Sequence, residues 1–175
     1  MTQRTSSDHL SVQVRGMRPE DWPQVADIYA AGIATGNATF ETEPPTWASW
    51  DSSHRQDLSL VALDGELVVG WAAAGGVSDR CCYAGVAEHS VYVRPGYEGR
   101  GIGRALLRAL VDAATEAGVW TLQTGIFPEN QASVALHEAC GFRIVGRRER
   151  LGQLNGVWRD VLFLERRSDL IGAPE

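Results

Sequence analysis

Val91-Tyr92-Val93-Arg94-Pro95, followed by Gly99-Arg100-Gly101-Ile102-Gly103-Arg104-Ala105-Leu106-Leu107, is the stretch whose reading decides the fold. An alternating apolar strand runs into a glycine-rich turn, and the turn opens an amphipathic helix. A helix N-terminus leaves backbone N–H groups without partners, and the macrodipole there favours negative charge. Three glycines keep side chains away, so a phosphate can reach the backbone. The stretch is therefore expected to hold a phosphorylated cofactor.

Two other phosphate loops are excluded. A P-loop needs a Lys after its last Gly, and this sequence has no Lys at all. A dinucleotide fingerprint needs Gly-x-Gly-x-x-Gly, a spacing that Gly99-Arg100-Gly101-Ile102-Gly103 lacks. Arg100, Arg104 and Arg108 fall at i, i+4 and i+8, one stripe of a helix, with Arg94 just before the loop. Guanidinium forks suit phosphate oxygens. For Arg108 a solvated helix face is the alternative.

The chain has 175 residues, enough for one domain with a sizeable core. Hydrophobic content of 44% and charged content of 22% match a globular protein. No apolar run approaches a membrane span, and the polar first ten residues lack the apolar stretch of a signal peptide. A net charge of −6 argues against general nucleic-acid binding. Cys81, Cys82 and Cys140 form neither a disulfide framework nor a zinc spacing, so a reducing cytoplasm and no metal are expected.

Residues 1–10 read as a flexible tail, 11–167 as a single domain, and 168–175 as a second tail. Ser11 to Met17 alternates like a strand. Arg18-Pro19-Glu20-Asp21 starts a helix that carries Val25, Ile28, Tyr29 and Ile33 and ends near Gly36. After a loop, Thr46 to about Gln56 is a second helix. Leu58 to Leu63 and Leu67 to Ala74 pair as a hairpin around Asp64-Gly65. Ala84 to Arg94 is a strand, Gly101 to Ala117 the long helix, Trp120 to Ile126 a strand, and Asn130 to Cys140 a helix. Phe142 to Arg148 and Val157 to Glu165 close the chain as strands.

That order, with Glu98 to Gly103 as the loop, resembles the GNAT N-acetyltransferases, whose acyl-CoA loop reads Gln/Arg-x-x-Gly-x-Gly/Ala. Glu98 departs from the usual Gln or Arg. The resemblance covers roughly Val12 to Arg167. Four segments are similar to the phosphinothricin acetyltransferase branch: Asn37 to Thr46, Glu88 to Val93, Pro128 to Phe142, and Asn155 to Val161. That branch commonly carries His or Leu where Arg159 stands here. It acetylates the α-amino group of glutamate-like compounds such as phosphinothricin and methionine sulfoximine; methionine sulfone and arsinothricin are related candidates. The fold implied is α/β (α+β), a mixed, mostly antiparallel sheet flanked by helices on both faces, with a splayed strand pair holding acetyl-CoA. The resemblance also implies a homodimer and direct transfer.

Acetyl transfer to an amine needs a base to take the ammonium proton. Glu88 is the candidate, on the strand leading to the loop, between apolar neighbours whose burial would tune it; the resembling family uses a Glu at this point. His89 faces the other side of the strand, which makes it a supporting residue. His137 stands where many of these enzymes have a Tyr near the leaving sulfur. It is either a proton donor to the thiolate or a packed helix histidine. Asn130 and Ser133 are cofactor contacts by resemblance and helix caps by position. The backbones of Val91 and Val93 are expected to pair with the pantetheine amides, with the strand splaying after Val93 at Pro95 and Gly96. Gly99, Gly101, Ile102 and Gly103 would meet the pyrophosphate with Arg100 and Arg104. For the acceptor, Arg80 and Tyr83 are expected to meet the anionic groups, Phe40 and Glu41 to form the opposite wall, and Arg159 to close the pocket. The rival readings are a protein or peptide acceptor, and a CoA-binding sensor that no longer catalyses.

Overall fold

The computed structural model describes residues 12–172. The expectations for residues 1–10 and for Ser11 lie outside them. The elements in chain order are β1 (Gln13–Gly16), α1 (Trp22–Ala34), α2 (Trp47–Ser53), β2 (Ser59–Asp64), β3 (Leu67–Gly76), β4 (Val86–Val93), α3 (Ile102–Glu116), β5 (Thr121–Ile126), α4 (Gln131–Ala139), β6 (Arg143–Leu154) and β7 (Val157–Arg167). The seven strands among the described residues form one sheet in the order β1-β2-β3-β4-β5-β7-β6. Every pairing is antiparallel except β4 with β5.

Local chemistry sets the elements. Pro19 opens a short 3-10 turn before α1, and the Asp21 carboxylate accepts from the Arg18 amide (2.8 Å) and from both Arg15 guanidinium nitrogens (2.7 and 2.9 Å). Thr46 caps α2 by accepting from the Ser49 amide. Gly65, at φ 60°, turns the β2–β3 hairpin with Glu66, one residue later than the expected Asp64-Gly65. Strands β6 and β7 run longer than their patterns suggest, through bulges at Ile144/Gly146 and Arg148/Gly152.

Two apolar layers cover the sheet. On one face α3 packs Ile102, Leu106, Leu107 and Leu110 against Ala62, Val69, Ala72, Ala87, Leu122 and Leu164. Each Ile or Leu of α3 contributes about 1.5–3 kcal/mol by leaving water. On the other face α1 and α2 bring Val25, Ile28 and Trp50 onto Val61, Val68 and Trp71, with Tyr29 and Tyr92 at the margin. Gly32 makes room there: a Cβ on it would meet the Tyr92 ring at 2.5 Å.

The described part of the expected C-terminal tail, residues 168–172, has no regular secondary structure but is hydrogen-bonded to the domain. The Ser168 amide donates to Trp120 C=O (2.8 Å), its hydroxyl accepts from the Leu170 and Ile171 amides, and Arg167 donates to Gly172 C=O. This turn closes over the start of β5 because it satisfies backbone groups that β7 leaves at its end. No helix among the described residues is long and apolar enough to cross a membrane.

Candidate active site

Strands β4 and β5 pair only over Val86–Glu88 and Thr121–Gln123. Beyond that point β4 stays with β3 as far as Val93, and β5 stays with β7 as far as Ile126. The sheet therefore forks after Glu88. The expectation of a splay after Val93 is corrected: each strand follows its outer partner, and Pro95 and Gly96 lie beyond the fork. The Trp120 and Thr121 amides both donate to Gly85 C=O, so that residue turns its backbone toward β5. Val91 and Val93 share its parity and present their N–H and C=O groups to the gap. Between the strands lies a cleft of about 720 Å³, lined by Val91, Val93, Ser133, Leu136 and, from the loop, Glu98, Gly99 and 101–104.

The loop has the backbone its glycines allow. Gly99 and Gly101 take φ of 73° and 82°, in the left-handed region. Gly101 is the N-cap of α3, which leaves the first-turn amides of Ile102, Gly103 and Arg104 without helical acceptors. The departure at Glu98 has a local use: its Oε2 accepts from the Gly96 amide at 2.7 Å and ties the loop. Gly103 sits where a Cβ would meet Leu136 of α4 at 3.0 Å.

The expected arginine stripe is broken. Left-handed Gly101 precedes the helix, so Arg100 falls outside its periodicity and lies over the Tyr97 ring, 4.8 Å from its centre. Arg104 lines the cleft. Arg108 lines a separate shallow groove with Cys140 and Arg166. Arg94 turns back, its Nε donating to Val68 C=O at 2.6 Å.

Glu88 is the last residue of β4 paired with β5, and its register partner there is Gln123. The apolar burial expected around it is absent: the side chain is exposed, and Gln123 Nε2 donates to its carboxylate at 3.2 Å. The neighbours that looked flanking in sequence, Ala87 and His89, point to the opposite face. Glu88 shares its own face with Ser90 and Tyr92, which line the cleft.

His89 is 2% exposed and meets His137, with the two Nε2 atoms 3.0 Å apart. His137 Nδ1 lies 2.7 Å from Ser133 C=O. A carbonyl only accepts, so His137 carries its proton on Nδ1 and leaves Nε2 bare. His89 must then donate from Nε2, and its Nδ1, which has no partner, is the bare nitrogen. Burial, with the His137 ring beside it, pushes the His89 pKa down to about 3. Burial also lowers that of His137, partly offset by the Ser133 carbonyl. His137 does line the cleft. Both its nitrogens are engaged inside the protein, however, so of the two readings the packed histidine matches this geometry. A free proton donor does not.

Asn130 realises its cap, Oδ1 accepting from the Ser133 amide, and its Nδ2 donates to Asn37 C=O (3.2 Å). Phe40 is an anchor rather than an open wall: it packs edge-on to Phe127, with ring centres 4.9 Å apart, beside Leu154 and Val161. Glu41 is exposed beyond it. Arg80 lies over the Tyr83 ring, both exposed in the turn before β4, and neither reaches the cleft within one chain. Arg159 is bound to the protein itself: it donates to Gly36 C=O, to Asn37 Oδ1 and to Glu129, and lies 4.1 Å from the Phe127 ring centre. It is therefore not a free guanidinium at the pocket mouth.

Sequence reasoning missed Tyr92, Gln123 and the His89–His137 contact. Period two from Glu88 pointed to Tyr92. Nothing local pointed to the other two, because each joins separate elements. Among the described residues no group of three His, Cys, Asp or Glu side chains is placed to hold a metal ion.

The comparisons with known proteins agree with this geometry. The model of the acetyltransferase (GNAT) family matches residues 22–142. The L-methionine sulfoximine/L-methionine sulfone acetyltransferase of Pseudomonas aeruginosa is 34% identical over 163 residues, 89% of this chain and 94% of that protein. The phosphinothricin N-acetyltransferase of Streptomyces coelicolor is 36% identical over 163 residues, 89% and 95% of the two chains. Among solved structures, a phosphinothricin acetyltransferase of Sinorhizobium meliloti in complex with acetyl-CoA superposes with a TM-score of 0.83 at 30% identity, covering 94% of this chain and 92% of that one. An acetyltransferase of Salmonella typhimurium with its cofactor acetyl-CoA gives a TM-score of 0.84 at 28% identity, covering 94% and 98%.

Proposed function

The chain belongs to the GNAT acetyltransferase family and is an acyltransferase; on that premise we propose that it N-acetylates the α-amino group of a small glutamate-like amino acid. Phosphinothricin, methionine sulfoximine, methionine sulfone and arsinothricin are the acceptor type. The observation that carries the reading is the fork after Glu88. It sets the Glu88 carboxylate where β4 and β5 part, two residues before Ser90 of a cleft whose lining includes a glycine loop on a helix N-terminus.

The residues present fit acetyl-CoA. The unpaired first-turn amides of α3, with Arg104, would hold the pyrophosphate. The gap-facing backbones of Val91 and Val93 would hold the pantetheine amides, and Ser133 would border the thioester end. Acetyl-CoA, when bound, supplies the thioester whose acetyl group is transferred. Glu88 takes the proton of the acceptor ammonium, directly or through water, and Gln123 holds the carboxylate toward the fork. The His89–His137 pair keeps α4 seated on β4 beside the cleft. Transfer is direct. Cys81 and Cys82 are exposed in the turn before β4, and Cys140 ends α4 away from the cleft lining.

A single domain over 11–167 and a homodimer complete the reading. The edge hairpin β6–β7 exposes Ile144, Val145, Leu151, Val157 and Trp158, apolar side chains that a second copy would cover. Arg80 and Tyr83 would meet the acceptor only if a partner brought them to a cleft. A cytoplasmic setting fits three free thiols.

The test is thiol release from acetyl-CoA with phosphinothricin, methionine sulfoximine, methionine sulfone and glutamate. Turnover on one of the analogues with little on glutamate is expected. Silence on all four with acetyl-CoA still binding would refute the reading and favour a peptide acceptor or a sensor.

A further inference from the structure

Gly36 to Pro45 joins α1 to α2 and has no regular structure of its own. It borders the cleft through Ala38 and carries Phe40 and Glu41. Asn37 is its fastening point, held from two directions. Arg159, from β7, donates to Asn37 Oδ1 at 3.1 Å and to the preceding Gly36 C=O at 2.9 Å. Asn130, the N-cap of α4, donates to Asn37 C=O at 3.2 Å. Gly36 itself has φ 64°, so the chain reverses where the guanidinium grips it.

The guanidinium is well held. Its side chain is 17% exposed and lies over Phe127, with Glu129 Oε2 at 3.2 Å. One residue of the strand beyond the cleft thus ties the loop, and one residue at the start of α4 ties it again. The planar fork matters because it reaches two acceptors on successive residues while stacking on a ring.

We propose that Arg159 is a positioning residue for the acceptor: it holds the 36–45 loop against the start of α4 and so sets acceptor affinity without touching the acceptor. The inference rests on the N-acetyltransferase reading for what the loop binds, and on the hydrogen bonds alone for what holds the loop. Asn130 remains in place without Arg159, so α4 and the cofactor cleft keep their geometry. Acceptor affinity and cofactor affinity should therefore separate.

The experiment compares wild type with Arg159→Met, which keeps a long side chain over Phe127 but no donors, and Arg159→Lys, which keeps the charge without the fork. Amide hydrogen exchange over residues 36–42 is measured on each, together with the KM of methionine sulfoximine and of methionine sulfone and the KM of acetyl-CoA. Arg159→Met should raise exchange in 36–42 and raise both acceptor KM values by about tenfold, the scale of losing hydrogen bonds from a charged donor. The KM of acetyl-CoA should stay within about twofold, since the first-turn donors are intact. Arg159→Lys should recover part of the loss. Unchanged exchange in 36–42 overturns the proposal, whatever the activity. So does an unchanged acceptor KM, or a parallel rise for acetyl-CoA. A KM effect on one acceptor only, without added exchange, would mean direct contact and also overturns it. If the wild type turns over neither acceptor, the function reading fails, and hydrogen exchange alone decides the clamp.

Discussion

The buried histidine pair predicts a specific loss of stability in mild acid. In the unfolded chain His89 takes up its proton as pH falls through about 6.5. In the folded protein it does so only near 3, because burial and the His137 ring beside it disfavour the charged form, against a smaller opposing pull from the Gln123 backbone. Between these values the unfolded state binds one more proton at this site. Stability is complete above about 6.5 and declines as pH falls, by about 1.4 kcal/mol per pH unit. From pH 6.5 to 4.5 the site costs about 3 kcal/mol, a large part of the 5–15 kcal/mol of a typical domain. His89→Gln keeps an N–H donor for His137 Nε2 and removes the titration. The assay is urea unfolding of both proteins at pH 7.0, 5.5 and 4.5. The variant is expected to be less stable at pH 7, since it loses the ring packed on Phe142. Its stability should nevertheless fall less steeply with acid. Carboxylates away from the pair titrate in both proteins and cancel in the comparison. Parallel pH dependences would refute the reasoning.

Three further outcomes follow from the site. Glu88→Gln should lower kcat by about 10²–10⁴-fold with little change in the KM of acetyl-CoA; turnover equal to wild type from pH 6 to 9 would remove Glu88 as the base. Gly101→Ala places a side chain at φ 82°, which costs about 1–2 kcal/mol. It should weaken acetyl-CoA binding measured by calorimetry, and wild-type affinity would sink the loop assignment. Trp158→Glu, on the exposed edge hairpin, should convert a dimer to a monomer in sedimentation, whereas a wild type sedimenting near 19.0 kDa would leave no dimer to dissociate.

Much of this molecule was legible locally. Element order followed from hydrophobic period and from stops at Gly36, Gly118 and Gly141, all with positive φ. The glycine loop opening a helix and the opposite faces of Glu88 and His89 came from the same local rules. The shape of the site did not. The fork depends on β4 keeping β3 and β5 keeping β7, pairings set by packing on two outer strands. His137 could be read as a proton donor or as a packed histidine until His89, on another element, took its second nitrogen. Arg159 looked free for substrate until the fold brought Gly36 and Asn37 to it. Spacing along the chain decides which face a side chain takes, because backbone periodicity is a property of neighbours. Which donor meets which acceptor is decided by how the layers close, and that depends on the whole sheet at once.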